Sequence, residues 1–225
     1  MKTDVLIVGG GMAGILCAYY LSKTNTDYIL CEAKEIGSGT TARTTAVLSA
    51  QHDILYGKIL RQYGEEYARL YLKANLEAIS EYRKLANEIP CDFEICPSYQ
   101  YSEINDKALQ HEFSTVTKLG FNVKSVQKIP LPLKSKVCIG FPMQAQFHPL
   151  KFVYGIAKNL NIYENSKIDK IEGTIAHCGN RKIFAKRVIV CTHFPIMNTH
   201  GLYFTKMYQK KSYVLALENA GQYHG

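Results

Sequence analysis

Three glycines near the N-terminus have the spacing of a phosphate-binding turn. Gly9, Gly11 and Gly14 form a Gly-x-Gly-x-x-Gly motif directly after a short apolar segment. In such a motif the first glycine permits a tight turn, the second leaves space for a diphosphate, and the third lets a helix pack closely on the preceding strand. Met12 and Ala13 would open that helix, so their backbone N–H groups would face the phosphates at the positive end of the helix dipole. The motif therefore predicts a dinucleotide site.

A carboxylate stands where the ribose of such a dinucleotide would lie. Glu32 follows the apolar segment Tyr28–Cys31, a predicted strand, and stands 18 residues beyond Gly14. A carboxylate at this position can accept hydrogen bonds from both ribose hydroxyls, and it would repel a 2′-phosphate, which argues against NADP. Ala33, the next residue, is assigned to the same site.

A hydroxyl-rich segment with one cation follows. Thr40, Thr41, Arg43, Thr44 and Thr45 can hydrogen-bond and neutralise a diphosphate. The glycine motif alone does not distinguish FAD from NAD, but a segment of this kind suits a long dinucleotide lying across the edge of the sheet and so favours FAD. A Ser/Thr-rich connection that caps a following helix is the alternative interpretation.

The order of the predicted elements indicates one nucleotide-binding domain with a large insertion. A strand, a helix and a second strand open the chain, a helical and β-rich excursion follows, and a buried strand returns at Arg187–Cys191. The nucleotide-binding parts are predicted at about 1–90 and 145–200, and the inserted parts at about 91–144 and 201–225. The predicted fold class is α/β.

Local patterns predict the individual elements. Apolar residues at helical spacing predict helices over Met12–Thr24 and Gly64–Ile89. The predicted buried face of the second helix consists of Tyr67, Leu70, Tyr71, Ala74, Ala78, Tyr82, Leu85 and Ile89. Further strands are predicted at Asp92–Ile95, Tyr99–Ser102, Lys182–Ala185 and Phe204–Glu218, with a hairpin turn at Gly179-Asn180.

Composition narrows the class of protein. Hydrophobic residues make up 47% and charged residues 20% of the 225 residues, which is typical of a globular protein. The net charge of +8 is uneven, with 11 Lys/Arg against 14 Asp/Glu in residues 1–110 and 16 against 5 in residues 111–225. The basic residues are scattered rather than grouped in a stripe, so nucleic-acid binding is not predicted.

The cysteines indicate a reducing compartment, and the apolar segments do not predict a membrane span. The seven cysteines form no Cys-x-x-Cys pair and no spacing typical of metal ligands, so no metal site is predicted. No apolar run approaches the ~20 residues that a membrane-spanning helix needs. We therefore expect a cytoplasmic protein without a transmembrane segment.

Taken together, these motifs resemble the D-amino-acid oxidase-like (DAO) family of FAD-dependent oxidoreductases. Within it, the chain is similar to the branch whose longer members carry a C-terminal Rieske iron–sulfur domain. The resemblance covers essentially the whole chain and implies a Rossmann-like FAD/NAD(P)-binding domain of the glutathione-reductase type, with an inserted α+β portion of the substrate domain. The segments that carry it are the glycine motif, Glu32, Gly39–Ala46 with Gln51-His52, Phe147–Pro149 and Val190–Pro195.

The resemblance also implies roles for single residues. The glycines would approach the pyrophosphate of FAD, Glu32 would hold the adenosine ribose, and Thr40–Thr45 would run along the phosphates toward the flavin. Lys167 stands at a position whose backbone contacts adenine in the family, where Val is usual. Cys191 and Thr192 stand where the family closes the nucleotide pocket, with Cys191 in place of the usual Ala.

The activity implied by the resemblance is transfer of a hydride from a small amine or amino-acid-like substrate to the flavin, which carries the difficult chemistry itself. No catalytic residue is nominated. His148 and His193 are interpreted as structural, and His52 either as structural or as facing the flavin.

The chain departs from the family in length. In the family, a later segment returns to the nucleotide domain and covers the flavin; neither that segment nor a Rieske ligand set precedes Gly225. We therefore expect a truncated chain. A non-catalytic FAD-binding fragment or subunit, completed by a partner chain that supplies the C-terminal half, is the alternative function. An NAD-binding dehydrogenase is a third hypothesis, which the Thr40–Thr45 segment disfavours.

Overall fold

A computed structural model of the chain describes residues 1–104, 106–127, 134–197, 202–210, 213 and 218. The chain divides into two compact units: the first contains Met1–Thr45, Ile89–Cys91 and the described residues of His148–Leu215, and the second contains Ala46–Glu88 and Asp92–Phe147. The predicted nucleotide-binding part, about 1–90, thus runs past the boundary of the first unit. Residues 46–88 group with the second unit because their apolar side chains share a core with a helix and a sheet of that unit.

The helices and strands are numbered in chain order. The strands are β1 (Lys2–Val8), β2 (Tyr28–Cys31), β3 (Val47–Leu48), β4 (Glu94–Ser102), β5 (Lys124–Ser125), β6 (Val137–Gln146), β7 (Ile162–Tyr163), β8 (Lys170–Glu172), β9 (Ile175–Cys178) and β10 (Arg181–Val190). The helices are α1 (Met12–Ser22), α2 (Tyr56–Tyr63), α3 (Glu65–Ala86), α4 (Lys107–Lys118), α5 (Pro149–Ala157) and α6 (Tyr203–Lys206).

The first unit is built on a sheet of strand order β7-β2-β1-β10-β9-β8. β1 lies between β2 and β10 and runs parallel to both. All of β2 and residues 5–8 of β1 are buried, as expected of parallel strands that are covered on both faces. Leu6 and Val8 pack in a cluster with residues of β9 and β10, and α1 contacts β1, β2 and α5. This layering of helices on a largely parallel sheet agrees with the predicted α/β class.

β10 pairs with two strands in succession. Its first residues, Arg181–Phe184, pair antiparallel with β9, and residues 184–190 pair parallel with β1. The hairpin turn between β9 and β10 lies at Gly179, as predicted, with φ +54. The two strands that the sequence predicts around residue 186 are therefore one strand, because β1 pairs with residues on both sides of that position.

The second unit contains an antiparallel sheet in which β6 pairs with β3, β4 and β5. The register of β4 and β6 shifts between Cys96 and Ser98, so that Pro97 and Pro142 both lie at one irregularity. Proline cannot donate to the ladder, and a bulge accommodates it. The two short strands predicted over residues 92–102 form the single strand β4, because β6 pairs with residues on both sides of the bulge.

The long helix α3 is confirmed, but its predicted buried face is only partly correct, with Tyr71, Tyr82 and Leu85 half-buried. Its buried residues are Ala68, Leu72 and Ile79, which belong to the core of the second unit. Tyr67 and Leu70, both predicted to be buried, are each 60% exposed. Apolar and aromatic side chains lie on more than one face of this helix, so periodicity alone did not identify the face that packs.

The predicted β-rich run at Phe204–Glu218 is wrong at its start, where α6 forms one helical turn. Of the remaining residues 207–218, the structure describes 207–210, 213 and 218, and none of these lies in a strand; the others lie outside the described residues. Among the helices of the described chain, none combines the length and the apolar character that crossing a bilayer requires.

A fully buried carboxylate holds the start of α2. Glu112, in α4, has no solvent exposure. Its Oε1 accepts hydrogen bonds from the backbone N–H groups of Leu55 (2.8 Å) and Tyr56 (2.7 Å), and its Oε2 accepts one from Gly57 (2.8 Å). These N–H groups lie at the N-terminus of a helix, where the helix itself provides no acceptor. The carboxylate also lies at the positive end of the helix dipole.

We expect Glu112→Gln to destabilise the protein by about 2–3 kcal/mol, because one amide N–H of the new side chain would face a backbone N–H donor. The free energy of unfolding from urea titration measures the effect. Glu103→Gln, the same substitution at an exposed position, is the control and should stay within about 0.5 kcal/mol of the parent. Equal stability of the two variants would contradict this role of Glu112.

Candidate functional site

The glycine motif forms the turn from β1 into α1. Gly9 has φ +108, in the left-handed region, and a Cβ at this position would lie 2.6 Å from the carbonyl oxygen of Cys191. A Cβ on Gly14 would lie 1.9 Å from the carbonyl oxygen of Gly9. Both positions exclude a side chain because strand, turn and helix are in backbone contact there.

Gly11 differs from these two glycines, because the surrounding protein leaves room for a side chain at this position. The nearest atom to a Cβ there is Thr41 Oγ1 at 3.4 Å, and φ is −77°. The Met12 N–H donates to the same hydroxyl oxygen at 3.1 Å, whereas the N–H groups of Ala13 and Gly14 have no acceptor within the first turn of the helix. The space beside Gly11, at the positive end of α1, therefore suits a diphosphate.

Glu32 is joined to this turn by a hydrogen bond. Its Oε2 accepts from the Gly10 N–H at 2.6 Å, and its Oε1 accepts from the Lys34 N–H at 2.9 Å. A carboxylate offers about four acceptor positions, so each oxygen keeps one for a ribose hydroxyl, and the side chain is only half-buried. Ala33, beside it, is exposed. The structure thus brings the predicted ribose ligand to the predicted phosphate turn.

Gly10 is a constrained residue that the motif leaves variable. A Cβ at this position would lie 2.9 Å from Glu32 Cβ and 2.9 Å from Ile36 Cγ2. The Gly10 carbonyl also accepts a hydrogen bond from the Gly37 N–H at 2.9 Å. The spacing of the motif carries no signal for this glycine, because the side chains that exclude a Cβ come from the segment after β2.

The segment after β7 runs along the segment after β2. The Ser166 N–H donates to the Glu32 carbonyl at 2.8 Å, and the Asn165 N–H donates to the Lys34 carbonyl at 2.9 Å. Lys167 follows directly, and its side chain extends into solvent. Its backbone is therefore placed one residue from the contact with Glu32, the predicted ribose ligand.

The hydroxyl-rich segment contains a short 3-10 turn, Thr40–Arg43. Arg43 Nη1 donates to the carbonyl oxygens of Ser38 (2.9 Å) and Gly39 (3.0 Å). This cation therefore braces its own loop, and the other N–H donors of the guanidinium can still meet an anion. Thr41 is buried against the glycine turn, and the exposed members of the segment are Thr40, Thr44 and Thr45.

Cys191 and Thr192 follow β10 at the glycine turn. The Cys191 N–H donates to the Val8 carbonyl at 2.7 Å, and Thr192 Oγ1 donates to the Phe194 carbonyl at 2.7 Å. Burial, with the neighbouring Cys17 thiol as a lesser cause, raises the pKa of the Cys191 thiol to about 11. The thiol is therefore protonated at neutral pH and acts as a small packing group under the turn.

Two of the three histidines of the motifs make side-chain contacts within their own parts of the chain. His148 Nδ1 accepts from the Lys151 N–H at 3.3 Å and caps α5, in agreement with its structural interpretation. His52 Nε2 lies 3.3 Å from Asn75 Oδ1. His193 is exposed and has φ +64. The described residues contain no group of three or more His, Cys, Asp or Glu side chains placed to hold a metal ion.

Comparison with known proteins identifies the relatives of the chain. Residues 4–224 match the DAO family, described as FAD dependent oxidoreductase. The Bacillus subtilis (strain 168) protein YhfW, which bears the provisional name of a Rieske 2Fe-2S iron-sulfur protein, is 36% identical over 236 residues, covering 99% of this chain and 46% of YhfW. Gamma-glutamylputrescine oxidoreductase of Escherichia coli (strain K12) is 25% identical, over 83% of this chain and 48% of its own length. The chain spans about half the length of these curated relatives.

A solved structure has a similar fold. Glycine oxidase from Geobacillus kaustophilus superposes with a TM-score of 0.71 at 16% sequence identity, covering 85% of this chain and 55% of that chain. At such an identity the likeness concerns the fold. Together with the family match, it confirms the predicted Rossmann-like FAD-binding fold.

Two glycine variants should separate folding from cofactor binding. Gly11→Ala places a methyl group in the space beside α1, and we expect FAD to bind about tenfold or more weakly while the thermal midpoint without FAD stays nearly unchanged. Gly14→Ala forces its Cβ against the Gly9 carbonyl, and we expect destabilisation of about 3 kcal/mol or more. Fluorescence titration with FAD and thermal unfolding without it measure the two effects. Similar losses of stability in both variants would contradict the assignment of Gly11 to the cofactor.

The raised pKa of Cys191 predicts a slow reaction with iodoacetamide. Only the thiolate reacts, and a pKa near 11 leaves less thiolate at mildly alkaline pH than an ordinary thiol has. We expect Cys191 in the folded protein to be alkylated about 100-fold more slowly than in the urea-unfolded chain, with the rate rising as the pH approaches 11. Mass spectrometry of the Cys191 peptide measures the rate, and equal rates in the two states would refute the shift.

Proposed function

The chain belongs to the DAO family of FAD-dependent oxidoreductases, and we propose that its first unit holds the adenosine diphosphate portion of FAD. The observation that carries this proposal is the hydrogen bond between the Gly10 N–H and the Glu32 carboxylate. It joins a turn with space for a diphosphate to a carboxylate with free acceptor positions for a ribose. A turn that served packing alone would not need the open space beside Gly11.

The proposed contacts follow from this geometry. The N–H groups at the start of α1 would donate to the pyrophosphate in the space beside Gly11 and Thr41. The Glu32 carboxylate would accept hydrogen bonds from the ribose hydroxyls, and the Lys167 backbone would border the adenine. The full proposed set is Gly9, Gly11, Met12, Ala13, Gly14, Glu32, Ala33, Thr40, Thr41, Arg43, Thr44, Thr45, Lys167, Cys191 and Thr192.

We propose that the protein serves oxidation of a small amine or amino-acid-like substrate. The names of two relatives, a gamma-glutamylputrescine oxidoreductase and a glycine oxidase, support this substrate class. The chemistry that FAD supplies when bound is acceptance of a hydride from a substrate carbon. The residues of this chain bind and orient the cofactor, and none of them is assigned as a catalytic acid or base. The alternative of an NAD-dependent dehydrogenase is not retained, because the family is FAD-dependent.

An open strand edge favours a second candidate, in which this chain works as a subunit or fragment completed by further polypeptide. Residues 187–190 of β10 pair with β1 on one side, whereas β9 pairs only with residues 181–184. Within the described residues, the other edge of 187–190 has no strand partner. Unpaired N–H and C=O groups at such an edge can pair with an added strand. The half of the relatives' length that this chain does not span is the proposed source of that strand.

We also propose a cytoplasmic location. All seven cysteines are free thiols, and free thiols persist in a reducing compartment.

A spectrum of the purified chain tests the proposed cofactor. We expect flavin absorbance after addition of FAD and gel filtration, and no spectral response to NAD. Anaerobic addition of a panel of small amines and amino acids should then bleach the flavin absorbance for at least one of them. The proposed function would be refuted if the chain fails to take up FAD both alone and when co-expressed with the C-terminal half of the Bacillus subtilis relative.

Co-expression tests the subunit alternative. The chain is produced alone and together with the C-terminal half of the Bacillus subtilis relative, and FAD uptake is compared. Uptake that requires the second half supports a subunit or fragment. Equal FAD affinity and equal bleaching by substrate in both preparations would exclude it.

A further inference from the structure

Glu164 makes a long-range contact for which the sequence carries no signal. It stands directly after β7, and its Oε1 accepts a hydrogen bond from the backbone N–H of Ile36 at 2.7 Å. The two residues are 128 positions apart in the sequence. Ile36 is buried, whereas Glu164 is exposed, so a surface carboxylate satisfies the backbone donor of a buried residue.

The segment that Glu164 holds is the segment that positions Gly10. The Ile36 side chain lies against Gly10, since a Cβ there would be 2.9 Å from Ile36 Cγ2. The next residue, Gly37, donates its N–H to the Gly10 carbonyl at 2.9 Å. Gly10 is thereby fixed at its carbonyl by Gly37 and at its N–H by Glu32.

Glu164 belongs to a set of contacts that are otherwise made by backbone. The Glu32 N–H donates to the Tyr163 carbonyl at 2.9 Å, and the Ser166 N–H donates to the Glu32 carbonyl at 2.8 Å. These bonds align the two segments but end before Ile36. The Glu164 carboxylate extends the alignment to Ile36, where the chain turns back toward Gly10.

We propose that Glu164 is a positioning residue for FAD binding. It holds the turn at Ile36 and Gly37 in place, and that turn fixes the position of the Gly10 peptide in the glycine turn. This inference rests on the proposed function. Glu164 acts as a hydrogen-bond acceptor and need not touch the cofactor. A carboxylate near a diphosphate would weaken binding by repulsion, so a loss of affinity on removing Glu164 has the sign opposite to a charge effect.

Three variants test this inference. Glu164→Ala removes the acceptor, and we expect FAD to bind about tenfold more weakly. Glu164→Gln keeps an acceptor oxygen, and we expect an affinity within about twofold of the parent. Glu35→Ala removes an exposed carboxylate from the same loop, and we expect it to bind FAD no more weakly than the parent. Parent-like affinity of Glu164→Ala, or equal losses in the Ala and Gln variants, would overturn the proposal.

Hydrogen exchange in the absence of FAD gives a second readout. We expect the backbone N–H groups of Ile36, Gly37 and Gly10 to exchange about tenfold faster in Glu164→Ala than in Glu164→Gln, with helix α5 unchanged in both. Unchanged exchange of these three groups would overturn the positioning role even if FAD does not bind. Lack of FAD binding by the parent chain, with the expected change in exchange, would count against the proposed function and not against the role of Glu164 in the loop.

Discussion

The hydrogen bond between the Gly10 N–H and the Glu32 carboxylate is the interaction on which the proposed nucleotide site depends. β1 and β2 are parallel neighbours, so their C-terminal ends lie at one edge of the sheet, and this bond joins the turn after one to the residue after the other. Gly9 and Gly14 allow the turn to form by removing the Cβ atoms that would collide with backbone. Gly11 then leaves open the space that the turn encloses.

Carboxylates that accept backbone N–H groups recur in both units. Glu32 satisfies an N–H group of the glycine turn and Glu164 one of the loop beside it, and Glu112 satisfies three at the start of α2. A buried N–H without an acceptor costs about 1–3 kcal/mol, so each of these side chains selects one loop conformation. In the first unit the selected conformation leaves the space beside Gly11 open, as the proposed site requires.

The sequence predicts local structure correctly where a few adjacent residues decide it. The strand, glycine turn and helix of residues 2–22 appear as predicted, and so does the hairpin at Gly179. Predictions failed where contacts with residues distant in sequence decide the extent of a strand or the buried face of a helix. β10 continues through the predicted break because β1 pairs along it, and α3 buries Ala68 and Leu72 rather than Tyr67 and Leu70 because of the elements that cover it. A predicted strand after Phe204 begins as the helical turn α6.

The sequence by itself determined the turn after β1, since glycine spacing acts through local backbone geometry, and several motifs taken together indicated the family. Only the tertiary structure decided which groups complete that turn. The roles of Gly10 and Glu164 have no signature in spacing, because hydrogen bonds and close contacts between remote segments exist only once the strands are paired. The physical reason is that a backbone N–H does not specify its acceptor in sequence; the fold brings one within reach.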